Sequence, residues 1–438
     1  MQGGVGNSGS ESDESEQNDV RFICAASEAG MVRRCRAVTK PAKVMVVGGG
    51  EWQVPLIRKA KDMGLTVLCT NPYPDSPGFA YADFHELADV KDVAAHERIS
   101  QRFRPDAIVT DQTDIAVPTV ARLCERSGLP GIGTDIAGLF TDKSRMRQFC
   151  LEHGFPCPPF RLCRTMEDVK DFIGENGLPI ILKPVSSQAS RGVKKVASVA
   201  DLPELYADTL LHAGGRPILA ERYIGGFEIT MEGLAIGGSH TTLAVSRKKH
   251  LNAERTIASE LLYTGDDPEI DYEKVMETHN RMIEAMKLPF GITHAEYKID
   301  QGRFYLIEAA ARGGGTKISS HIVPAVSGVD AQELLIRMAL GEPVGALPRM
   351  PIPRPRLAAI LGFFLLPEGT IAQITGMEAI RSLPFVLDAG LSVRSGDRVA
   401  VPRDDGSRAG YFLATGQDEA EVRSRASMIR SMLEVRYA

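Results

Sequence analysis

The sequence has no long apolar stretch, no paired-cysteine motif and no excess of positive charge, and each absence excludes something. Its longest apolar run, Leu357 to Leu366, is ten residues and ends at Pro367, about half of the ~20 that a spanning helix needs. The seven cysteines (24, 35, 69, 124, 150, 157 and 163) are odd in number and form no C-x-x-C pair. They read as free thiols in a reducing compartment, not as a disulfide framework or zinc site. Lys+Arg number 51 against 56 Asp+Glu, for a net charge of −5. Five of those acids (Glu11, Asp13, Glu14, Glu16, Asp19) fall in the first 20 residues, which hold no base, so the remainder balances. A neutral body with an acidic tail lacks the electrostatic footprint for nucleic acid or an anionic membrane. The same acidic start lacks the basic n-region of a secretory signal. A cytoplasmic protein that binds neither nucleic acid nor membrane is expected.

At 438 residues the chain exceeds what one hydrophobic core usually holds, so two or three domains are expected. Residues 1–20 are rich in Gly, Ser and acids, cannot bury enough surface to offset ordering entropy, and read as disordered. Residues 21–40 fit an extra strand and helix or more tail, making 1–40 an N-terminal extension. From Lys43, the apolar runs 44–47, 66–69 and 107–110 alternate with helical stretches. That is the pattern of a parallel sheet covered on both faces, here a Rossmann-like domain over 41–135. Over 136–345 a helix at 142–153 precedes strands at 179–183, 217–221, 228–236 and 241–246. A helix at 271–287 and a hairpin, 292–299 with 303–309, follow. This α+β domain is separated by a Pro-rich crossing from a last domain, 346–438. That domain ends in an amphipathic helix with Val422, Ala426, Ile429 and Leu433 on one face.

Gly48-Gly-Gly50 after the first strand is half of a dinucleotide fingerprint, but Gln53 stands at the third glycine and Asn71 where a ribose-binding acid belongs. A tight strand-to-helix turn is the favoured reading. The middle domain is more specific. Lys183 ends an apolar strand, where an ammonium can reach a phosphate, and runs into the small polar loop 186–192. Glu221 and Glu228 flank a Gly225-Gly226 turn and suit ribose hydroxyls, although two solvated acids would look the same. In the hairpin, a turn centred on Gln301 sets Glu296 opposite Leu306 and diagonal to Glu308, with both carboxylates on one face. Two such acids suit Mg²⁺. Glu308 follows apolar residues, so a metal or a basic partner is expected beside it. Arg312 is placed to hold a transferring phosphoryl group. Arg247-Lys-Lys-His250 reads as a solvated turn or a substrate-carboxylate contact, and His294 as a packed, hydrogen-bonded side chain.

In this order, from Thr141-Asp-Lys143 through Lys183, Glu221, Glu228, His294-x-Glu296 and Glu308-x-x-x-Arg312-x-Gly-Gly, the chain resembles the ATP-grasp superfamily over about 41–438. The similarity is to its carboxylate–amine ligases, especially those that join amino acids, and it includes a C-terminal lid. The resemblance implies an ATP-grasp architecture of α/β plus α+β type: a Rossmann-like first domain, a two-lobed ATP-binding domain and the lid. It implies that Lys143 and Lys183 contact ATP phosphates and that the loop holding Ser187, Ser190 and Gly192 closes over them. Glu221, Tyr223 and Ile224 would border adenine and Glu228 would bind the ribose. Glu296 and Glu308 would hold Mg²⁺, with Mn²⁺ as a substitute, and Arg312 would stabilise the transition state. The implied activity is an ADP-forming ligase that joins a carboxylate to an amine through an acyl phosphate. The alternatives are bicarbonate activation at the same site and a nucleotide-binding protein without turnover. Homodimers are common among such proteins. Two departures stand out: Ala310 replaces the usual Asn metal ligand, and the phosphate loop has a single glycine, Gly192.

Overall fold

The computed structural model describes residue 1 and residues 40–186, 191–252, 255–347, 357–402 and 404–438. Lys43–Ala438 folds as one unit. Ser187, Ser190, Cys24, Cys35 and the expected disordered tail lie outside the described residues. No helix among the described residues is long and apolar enough to cross a membrane.

The first strands form a parallel sheet in the order Phe84–Leu87, Thr66–Asn71, Lys43–Val47, Ala107–Val109. Val44 through Val47 are buried, as strands covered on both faces must be. Three of the four strands follow from their apolar runs. The fourth, Phe84–Leu87, is an edge strand with mostly exposed side chains, so no apolar run announces it. The Gly48–Gly50 turn is packed by protein. A Cβ on Gly49 would lie 2.6 Å from Cys69 Sγ, and the Gly49 carbonyl accepts from Gly78 N at 2.8 Å. Gln53 donates its amide to the Asp111 carbonyl at 2.8 Å. The turn that reads as half a dinucleotide fingerprint is a close-packing device.

Helix Lys143–His153 starts at Asp142, whose carboxylate accepts from the Ser144 and Arg145 amides, a side-chain N-cap. It leads into a small antiparallel sheet ordered Phe160–Cys163, Ile218–Arg222, Ile180–Pro184, Lys194–Val196. Helices Met166–Asn176 and Leu202–Leu211 pack Val169, Phe172, Leu202 and Tyr206 onto it.

The largest element is an eight-stranded antiparallel sheet. Its order is Arg303–Ala310, Phe290–Asp300, Phe227–Ile236, Ser239–Asn252, Arg255–Tyr263, Ala358–Phe363, Gly410–Gly416, Val386–Leu391. Strand Ser239–Asn252 runs on through Arg247-Lys-Lys-His250, so the expected turn there is a strand. The charges are tolerated because buried Lys248 meets two carboxylates (below). Helix Glu419–Met432 buries Val422, Ala426 and Ile429 against Ile360, Phe412 and Ala414 of the same sheet.

Candidate active site

Three elements converge on a cavity of about 420 Å³: the end of the parallel sheet, the hairpin of the large sheet, and the last strands. The hairpin supplies its acids. Glu296 and Glu308 face each other directly, not diagonally, because the strand registers Tyr297 against Leu306 but Glu296 against Glu308. The irregularity leaves Ile307 as an extra residue, a β-bulge, and its carbonyl accepts from Arg147 Nη2 at 2.6 Å. The shared face survives the shift. Glu308 has the basic partner that burial demands, since Lys143 Nζ donates to it at 2.7 Å.

On the neighbouring strands Lys248 Nζ bridges Glu228 at 2.5 Å and Glu296 at 2.8 Å. His250 Nε2 lies 3.4 Å from Glu228. Burial would raise the Glu296 carboxyl, but Lys248 and His294 outweigh it and hold it well below the usual range. His294 donates from Nδ1 to the fully buried Glu232 at 2.7 Å, and Glu232 also accepts from Gly314 N at 3.2 Å. Burial disfavours an imidazolium, yet the Glu232 carboxylate raises His294 to about 9. It is thus a packed, hydrogen-bonded side chain that carries charge at neutral pH.

Lys183 and Glu221 lie on adjacent strands of the small sheet. Lys183 Nζ is 2.7 Å from one Glu221 oxygen, and Arg147 Nε donates to the other at 2.7 Å. All three side chains are buried. Burial and the neighbouring Arg147 and Lys143 charges outweigh Glu221 and lower Lys183 to about 8. The Glu221 carboxylate is therefore engaged by two cations, while Ile224 is buried beyond it and Tyr223 is half-buried, its ring under Lys195 Nζ at 4.0 Å. The Lys143 amide donates to the Val185 carbonyl at 2.8 Å, which brings Lys143 beside the end of the Lys183 strand. Gly192 adopts φ +72 with a Cβ position only 2.8 Å from His212, so the loop needs its one glycine.

Arg312 is held by a residue that the motifs did not flag. Its Nε and Nη2 donate to both oxygens of Asp114 at 2.9 and 2.7 Å. Asp111, fully buried, accepts from Gly313 N at 2.7 Å, Ser319 Oγ at 2.8 Å and Gln332 Nε2 at 2.7 Å. Both aspartates follow the parallel strand Ala107–Val109 at its carboxyl end, where open α/β sheets place ligands; that position was the available signal. Trp52, Leu261, Ile318, Leu361, Phe363 and Tyr411 complete the cavity wall.

Residues 176–320 match the model of the ATP-grasp domain, and residues 362–438 match L-amino acid ligase C-terminal domain 2. The chain is an ATP-grasp ligase. It is 26% identical over 400 residues to a formate-dependent phosphoribosylglycinamide formyltransferase of Nitratidesulfovibrio vulgaris, covering 90% of the ligase and 96% of that relative. Among solved structures, L-amino acid ligase from Bacillus licheniformis superposes with a TM-score of 0.78 at 21% identity, over 92% of the ligase and all of that chain. A biotin carboxylase complex from Campylobacter jejuni gives 0.71 at 18% identity, over 91% and 92%. The parallel-sheet domain, the antiparallel lobes and the C-terminal strands are thus the ATP-grasp architecture expected from the motifs.

The donor set suits Mg²⁺. Glu296 and Glu308 are hard oxygen donors on one face, and buried Ala310, opposite His294, adds none. Among the described residues no group of three His, Cys, Asp or Glu could form a metal cage. Two carboxylates are what Mg²⁺ uses when phosphate oxygens and water fill the remaining positions.

Proposed function

We propose that the ligase transfers the γ-phosphoryl group of ATP to a substrate carboxylate, giving an acyl phosphate and ADP, and that an amine then displaces phosphate to form an amide. The convergence of Glu296, Glu308 and Arg312 on one cavity, with Lys143 held against Glu308, carries this assignment. Phosphoryl transfer is catalysed mostly by positioning and charge, and these groups supply both. Lys143 and Lys183 bind ATP phosphates, leaving the glutamates with which they pair in the free protein. The 186–192 loop covers those phosphates, Tyr223 and Ile224 border adenine, and Glu228 takes the ribose hydroxyls. Glu296 and Glu308 hold Mg²⁺, which supplies charge neutralisation for the phosphates when bound. Arg312 holds the transferring group.

The match of 362–438 to an L-amino acid ligase domain favours amino acids as acid and amine. The formyltransferase relative, similar along nearly all of the chain, favours a second reading with formate as the acid and the same acyl-phosphate chemistry. The free thiols of Cys69, Cys124, Cys150, Cys157 and Cys163 support a cytoplasmic location. Product analysis with ATP and Mg²⁺ decides among the substrates, with pooled amino acids, formate or bicarbonate in separate arms and Glu308→Ala as control. ADP and phosphate released only with amino acids, and lost in the control, is the expected result. AMP plus pyrophosphate would sink the acyl-phosphate mechanism.

A further inference from the structure

The large sheet has one face that changes chemistry across its width. Register runs from Glu228 to Lys248, Lys248 to Leu261, Leu261 to Leu361, and from Phe363 to Tyr411. Directly paired residues point to the same side, as do residues two apart along a strand. The side that carries Glu308, Glu296 and Lys248 therefore continues as Leu261, Leu361, Phe363 and Tyr411. Across the cavity stand Ile318 and Trp52, the latter half-buried with its ring 5.3 Å from that of Tyr411, edge to face. At the apolar end Arg408 stacks on Phe363 at 3.4 Å and is paired with Asp405 at 3.0 Å. A cavity with reactive charges at one end and aromatic and leucine walls at the other fits a ligand of matching polarity.

We propose that this apolar end is the side-chain subsite of the acyl-donor amino acid, and that it selects leucine- to phenylalanine-sized apolar side chains over glycine and over charged ones. This rests on the amide-ligase function proposed above. With the carboxylate between Glu296, Glu308 and Arg312, the adjoining wall available to the side chain is the Leu261–Leu361 row. Gly315 borders the same space, and a Cβ placed on it would meet no atom within 4 Å. The position therefore has room for a Cβ at the border of the cavity.

The test uses the full chain with MgATP and hydroxylamine, which traps an acyl phosphate as a hydroxamate with release of phosphate. Glycine, alanine, leucine, phenylalanine, glutamate and formate serve as donors. Hydroxamate efficiency is expected to rise on the order of tenfold or more from glycine to leucine or phenylalanine, the scale on which apolar pockets discriminate. Gly315→Val is expected to cut leucine and phenylalanine at least tenfold relative to alanine. A flat series, a preference for glycine or glutamate, or an unchanged ratio in the variant overturns the subsite while the ligase function stands. If formate alone reacts, the amino-acid donor fails as a substrate, and binding is read separately from the fluorescence of Trp52, the only tryptophan. A saturable change with leucine but not glycine then supports the subsite on its own; no change overturns it.

Discussion

Lys183 shares Glu221 with Arg147 in a fully buried triad, where burial and, after it, the Arg147 and Lys143 charges lower the lysine to about 8. Its ordinary value is 10.5. Above pH 8 the free protein therefore loses a positive charge from the position assigned to an ATP phosphate. kcat/KM for ATP is expected to fall above that pH, approaching tenfold per unit, while kcat, measured with ATP bound, falls less. Lys183→Arg, whose guanidinium does not titrate, should flatten the profile. Steady-state kinetics from pH 7 to 10 check both. The same shift acts on stability with a defined sign. Between about 8 and 10.5 the unfolded chain holds a proton that the folded one has released, so this group makes the fold more stable as pH rises through that window. At this scale the sequence was informative about charged residues at strand ends but not about their partners. Glu221, Lys183 and Arg147 lie 36 or more positions apart, and only packing of the helix onto the sheet makes them a triad.

Gly226 sits in the turn between Glu221 and Glu228 with φ +64, and a Cβ there would lie 1.8 Å from the Ile299 carbonyl oxygen. Both conformation and contact forbid a side chain. Gly226→Ala should destabilise by more than ~1 kcal/mol and raise the KM for ATP several-fold by displacing Glu228; urea unfolding and ATP kinetics check it. Behind the same sheet, His240 bonds Asn280 Oδ1 and Thr293 Oγ1, each at 2.8 Å. Burial lowers it from 6.5 to about 4. Below pH 6.5 the unfolded chain takes up a proton that the folded chain refuses, so stability is lost as pH falls toward 4. The loss is about 2 kcal/mol between pH 7 and 5. His240→Gln should be less stable at pH 7 but show a shallower fall by roughly that amount, measured by denaturant unfolding at the two pH values. Long elements with clear periodicity were legible in the sequence: the hairpin and the helix Tyr272–Ala285 stand within two residues of their expected bounds, and the C-terminal helix buries Val422, Ala426 and Ile429 of its expected apolar face. The bulge at Ile307 was not, because it depends on Arg147 reaching across from another element. Nor was strand Ser239–Asn252 at its full length, since Arg247-Lys-Lys-His250 looks solvated until the buried acids opposite are known.

Across the whole folded unit, the parallel-sheet domain does more than flank the ATP-binding lobes. Its loop 111–114 grips the segment that carries Arg312, and Glu51 joins Asp388 of the last strands on Lys317, at 2.7 and 2.5 Å. Such long-range ties are invisible to local patterns, which explains why Asp111 and Asp114 escaped notice while Arg312 did not. The Asp114–Arg312 pair offers a way to separate structural from chemical roles. Both side chains are largely buried, and removing one partner of a buried pair leaves an uncompensated charge, at a cost of roughly 3–5 kcal/mol. Asp114→Asn alone should therefore lower stability by several kcal/mol and reduce kcat on the order of a hundredfold, because Arg312 loses the anchor that orients it. Replacing both partners, Asp114→Asn with Arg312→Met, removes the stranded charge and should recover most of the lost stability. Activity should not return, because the double variant lacks the guanidinium itself. Thermal unfolding and ADP release measured on the unmodified protein and both variants check this. Recovery of both properties would show that Arg312 serves the fold alone, and recovery of neither would mean that the pair is needed to join the domain to the hairpin.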